Sequence, residues 1–358
     1  MSENKRKKPV LSLEEMAHRE QIRDLFNGVM VATVIVWVFR FCLCGLASLT
    51  KPVLDYYSYT LLYLLAEAVA VALPFVIFHK GRREDFAPIF TESSASDPDH
   101  GVLHCLFGAF AVFCLSFAAM EAVDLLRSLL EGGGVHTAID APDLGQGVFQ
   151  TGYYIVLSTV LRAVTLEFVF RGIAQRALAP ENRFCAVLVA GLSFAFVDGN
   201  MALAVVRLAV GFLIGAFYLR FRNCWGCCLL QGCSQVSVSI WWVLRSSFVN
   251  GELSLYSPFL LLACFVLGVG AALYLFYPFR YEKAAQTTSA KVALQQIFSS
   301  FAVYLLIGLM AFSLLITTFS TDSDPADPLL QPTPEEGVKP PLHFDREDEL
   351  GTDDGLNS

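Results

Sequence analysis

The chain has 358 residues, 55% of them apolar, and a mean hydropathy of +0.55. That balance excludes an ordinary soluble globular domain and points to a protein that crosses a membrane many times. The formal net charge of −8 excludes a basic nucleic-acid binder, and it comes mostly from one C-terminal segment, so it says little about the apolar body.

In chain order, residues 1–26 form a polar N-terminal segment. Apolar runs able to cross a bilayer, which takes about 20 residues, then follow at nine places. Three lie within 27–127: Asn27–Leu49, Tyr57–Phe78 and Val102–Val123. Four lie within 146–245: Gly147–Leu166, the short Arg183–Val197, Met201–Leu219 and Cys224–Leu244. Two lie within 256–319: Pro258–Tyr277 and Ile297–Phe319. The expected fold is therefore all-α, a polytopic bundle of about nine transmembrane helices.

Loop charge supports one orientation. Lys5, Arg6, Lys7, Lys8, Arg19 and Arg23 precede the first run; Lys80, Arg82 and Arg83 follow the second; Arg220 and Arg222 follow the sixth. With nine alternating spans these bases share a side, which predicts a cytoplasmic N-terminus and a C-terminal tail on the opposite side. The tail, Ser320–Ser358, holds eleven acidic residues, six prolines and the bases Lys339 and Arg346. It cannot bury enough apolar surface to offset its ordering entropy and reads as disordered.

The ten cysteines include Cys224, Cys227, Cys228 and Cys233 at the start of an apolar run. A structural zinc site needs four matched ligands. One CxxC without a second pair reads as packing, so neither a metal nor another cofactor is expected. Arg40, Glu67, Glu121, Arg162 and Arg207 also fall in or near spans. They read as ion pairs between helices, Arg40 with Glu67 for example. A phosphate-binding glycine loop, an internal repeat and a basic nucleic-acid patch are all missing from the sequence.

The segment with the most chemistry is Leu166-Glu167-Phe168-Val169-Phe170-Arg171-Gly172. A carboxylate and a guanidinium four residues apart share one helix face, with the acid N-terminal in the favoured order. Ionised groups at membrane depth are costly and mark sites. Two further blocks follow in order: Gly191-Leu192-Ser193-Phe194-Ala195-Phe196-Val197-Asp198-Gly199, then Gly211 to Arg220 with Trp225 and Leu229-Leu230-Gln231-Gly232.

Together these blocks resemble the core of the CAAX-protease and bacteriocin-processing intramembrane proteases (CPBP, also called Abi). The resemblance covers about 80 residues, from Arg162 to about Ser239, and places that core on spans four to seven. It implies an integral membrane endopeptidase, numerous in bacterial plasma membranes. Its site would hold two adjacent glutamates, a histidine in the second motif, and a histidine and asparagine in the third. A glutamate and a histidine activate water while the other polar pair steadies the oxyanion, or a metal.

The positions carry other residues here. The first glutamate falls on Leu166, the second-motif histidine on Asp198, the third-motif histidine on Gln231 and the asparagine on Gln235. Glu167 and Arg171 remain, and read as supports of the helix. The six histidines are His18, His79, His100, His104, His136 and His343, so none lies within the resemblance. The expected function is a catalytically impaired or inactive CPBP-like protein that binds peptides, prenylated or other membrane-protein segments, among membrane lipids. One alternative is an active endopeptidase using Glu167 and Asp198 as an acid–base carboxylate pair. Another is a transporter or channel.

Overall fold

The computed structural model describes residues 13–83, 85–86, 89, 98–132, 144–145, 147–197, 201–247, 257–276 and 289–319. They form ten helices: α1 Leu13–Ser48, α2 Tyr56–Gly81, α3 Pro98–Gly132, α4 Val148–Glu167, α5 Arg183–Phe196, α6 Met201–Phe221, α7 Cys224–Ser247, α8 Ser257–Phe276, α9 Ala290–Ser299 and α10 Phe301–Phe319. The end of α4 passes into a π-helical segment, Phe168–Gln175, and a last turn, Arg176–Leu178. Among the described residues there is no strand. The acidic tail lies outside them.

Helices stand at all nine predicted places. Six of them, α1, α2, α3, α4, α7 and α8, are long and apolar enough to cross a membrane. The pair α9–α10 makes a seventh if it crosses as one. The fifth predicted span is a helix of only 14 residues. The ninth, expected as one run over Ile297–Phe319, breaks at Ser300, where α9 and α10 bend by 66°. Ser300 is extended, and its hydroxyl bonds the side chain of Asn27 at 2.7 Å. Sharp kinks occur at Gly/Ser pairs, and this one falls on Ser299–Ser300.

Helix starts follow from local chemistry. Asp55 accepts the amides of Tyr57 and Ser58 at the head of α2. The buried Asn182 accepts the Cys185 amide at 3.0 Å and starts α5. Asn223 accepts the Gly226 amide at 2.9 Å and starts α7. Such caps satisfy amides that have no intrahelical acceptor.

The main core draws on all ten helices. Phe26, Val29 and Val36 of α1, Phe75 of α2, Val112 of α3, Phe170 and Ile173 of the π segment, Phe194 of α5, Phe217 of α6 and Leu230 of α7 are all part of it. Most charges within the spans are paired between helices. Glu67 lies 3.0 Å from Arg40 and 2.9 Å from Arg162, as the sequence led one to expect for Arg40. Between α3 and α7, Glu121 accepts from Trp241 at 2.9 Å and from Arg245, which also pairs with Asp124. Buried charges persist when paired and hydrogen-bonded. All ten cysteines are free thiols.

Candidate functional site

The polar centre lies where α4 turns into the π segment. A π turn adds one residue to the helix and is frequent at functional sites. Here it begins one residue after Glu167. Glu167 and Arg171 are both fully buried, with Oε2 3.2 Å from Nε. The i, i+4 pairing read from the sequence is therefore formed. Arg171 also donates from Nη2 to the Gly211 carbonyl at 3.0 Å, and its guanidinium lies 4.9 Å from the ring of Phe194.

One turn further on, Gln175 repeats the arrangement, donating from Nε2 to the Gly215 carbonyl at 2.7 Å. Arg171 and Gln175 are four apart, as are Gly211 and Gly215, so two rungs join the π segment to α6. The glycines make the approach feasible. A Cβ on Gly211 would lie 3.0 Å from Phe194, and one on Gly215 3.2 Å from Gln175 itself. The sequence reading missed Gln175. The matching four-residue spacing of a polar pair and a glycine pair was the available signal.

Leu166 is buried and apolar and belongs to the main core. Cys224 donates from Sγ to the Glu167 carbonyl at 3.9 Å, and a Cβ on Gly232 would lie 3.5 Å from Thr159. So α7 runs antiparallel to α4 with Cys224 beside Glu167 and Gly232 beside Thr159. Cys224, Cys227, Cys228, Gln231 and Gln235 recur at helical spacing and share one face of α7.

The polar positions consequently form a seam, with Glu167 and Arg171 at one end and Gln231 about two turns along, roughly 10 Å by helix rise. Gln235 lies one turn beyond. Gln231 is buried, and its Oε1, like the Thr159 hydroxyl, takes no hydrogen bond from the described residues. Asp198 lies outside the described residues. Ser234, beside Gln235, bonds Ser116 of α3 at 2.7 Å, and Ser237 donates to the Phe113 carbonyl at 2.8 Å. These contacts hold α7 against α3.

Two histidines approach from outside the motif region. His79 of α2 is buried, with its ring 4.4 Å from Phe86, which stacks on Phe168. His104 of α3 lies 5.3 Å from the ring of Phe221. Both pack on aromatic rings around the site's end of the bundle.

Three ordered blocks, brought together on α4 to α7 around one buried acid–base pair, are what the comparison with known families resolves. Residues 149–237 match the family model described as type II CAAX prenyl endopeptidase, Rce1-like. No curated protein and no solved structure matches the chain. The CAAX-endopeptidase match opens one residue into α4 and ends within α7. It contains Leu166, Glu167, Arg171, Asp198, Gln231 and Gln235. Helices α1, α2 and α3 precede it and α8 to α10 follow it, so the CAAX-protease-like core is framed by helices that the match does not cover. Its apolar helices make the protein an integral membrane protein, and its residues 149–237 are similar to that endopeptidase family.

Proposed function

We propose that this CAAX-protease-like protein binds peptide segments within the membrane, prenylated or otherwise lipid-anchored ones included, without cutting them. One observation carries the reading. Glu167 is fully buried and ion-paired with Arg171, and in the resemblance the first motif acid falls on the apolar Leu166. A general base has to come within hydrogen-bond reach of the proton it takes. A carboxylate with no exposed surface, facing a guanidinium, is placed to hold α4 in register. Gln231 and Gln235 offer amides, which bind through hydrogen bonds and do not move protons at neutral pH. The charge of the loops supports a cytoplasmic N-terminus.

The test uses the full chain in lipid nanodiscs with a fluorescent farnesylated peptide that ends in a CAAX sequence. The expected result is saturable binding with the peptide intact by mass spectrometry. Cleavage that disappears in both Glu167→Gln and Asp198→Asn overturns the proposal and establishes a two-carboxylate endopeptidase instead. Absence of binding also overturns it.

A further inference from the structure

The C-terminal end of α5 is held by a helix outside the matched segment. The last carbonyls of an α-helix have no intrahelical donor, and at membrane depth water is not there to replace one. Trp37 Nε1 donates to the Phe196 carbonyl at 2.6 Å, and Arg40 Nη1 to the Val197 carbonyl at 2.6 Å. Both donors sit on α1, more than 150 residues away in sequence. The Arg40 cation also complements the negative end of the α5 dipole.

Arg40 is itself fixed. Its Nη2 lies 3.0 Å from Glu67 Oε1 on α2, and Glu67 Oε2 receives Arg162 of α4 at 2.9 Å. Arg162 precedes Leu166 by four residues and shares its face of α4. A continuous set of polar contacts thus runs from the Leu166 face of α4, through Glu67 and Arg40, to the end of α5. In the family pattern those two places present the first-motif glutamate and, one residue after Val197, the second-motif histidine. A planar guanidinium serves a carboxylate and a carbonyl at once in fixed directions, which a lysine ammonium does not reproduce.

We propose that Trp37 and Arg40 are positioning residues of the ligand site: α1 caps α5 and sets the end of the second motif against α4. Its affinity arm rests on the binding reading above; its structural arm does not. The experiment compares Trp37→Phe, Arg40→Gln and Arg40→Lys in the full chain in nanodiscs. Two quantities are read, amide hydrogen exchange along α5 and affinity for the farnesylated peptide.

The expected result for Arg40→Gln is exchange at least about tenfold faster over residues 193–197, with the Asn182 end of α5 unchanged. Affinity falls by about tenfold, the scale of one hydrogen bond to a charged group. Arg40→Lys restores neither, which separates guanidinium geometry from charge or filling. Trp37→Phe keeps the ring, loses the N–H and shows a smaller change of the same sense, and it serves should Arg40→Gln fail to fold. Unchanged exchange at the α5 end in both variants overturns the assignment, as does acceleration spread evenly over every helix. Local acceleration in a protein that binds no peptide upholds the positioning role and sinks the binding reading alone.

Discussion

Glu167 and Arg171 are the residues on which most of the chemistry turns. The sequence showed them as a helical i, i+4 pair, and the pair is formed at 3.2 Å with both side chains fully buried. Removing one partner of a buried pair leaves an uncompensated charge and costs roughly 3–5 kcal/mol. Glu167→Gln is therefore expected to lower the thermal unfolding midpoint in detergent sharply. Glu167→Gln combined with Arg171→Met recovers much of the loss, because both charges are then gone. A Glu167→Gln protein as stable as the parent contradicts the pairing. Gln175 was not legible in the same way. Its only sign in the sequence is the matching spacing of Gly211 and Gly215, and which carbonyl it meets is settled when α6 brings that of Gly215 to 2.7 Å.

Among the elements, the π segment is the one that local sequence did not announce. Apolar periodicity predicts where α4 lies, since burying one face of a helix leaves a pattern at 3.6 residues. An inserted residue within that helix leaves no such pattern. Its packing rests on Gly172, where a Cβ would come within 2.5 Å of Ile89 Cγ2. Gly172→Ala is expected to destabilise the protein by about 1–3 kcal/mol, the usual cost of overpacking. Pairing it with Ile89→Ala in the same chain recovers part of that in thermal unfolding. A single variant with an unchanged midpoint shows that the segment yields freely. The bend at Ser300 falls on the Ser299–Ser300 pair of an otherwise mostly apolar run, a pair that permits a kink without fixing it, and the contact with Asn27 beside the break comes from α1.

At the scale of the molecule, the matched segment of residues 149–237 is not a free-standing unit. Its buried residues share one core with α1, α2 and α3, and its charged residues are completed by Arg40 and Glu67. A fragment of residues 144–247 expressed in membranes is expected to be degraded by protease far faster than the full chain. Co-expression of residues 13–132 protects it, as association of helices inside a bilayer depends on packing and interhelical hydrogen bonds. Equal protection of the fragment alone shows that the core closes on itself.

The sequence by itself determined the helical, membrane-spanning class, the order of the helices and the blocks that resemble the CAAX-protease family. Those features rest on composition, on periodicity and on residues close together in the chain. Only the tertiary structure decided that Glu67 joins Arg40 to Arg162, that Trp37 and Arg40 reach the end of α5, and that Gln231 lies two turns from Glu167 along a seam. Each of these joins residues tens to more than a hundred positions apart, and hydrophobic periodicity, which shows which face of a helix is buried, does not show which helix will cover it.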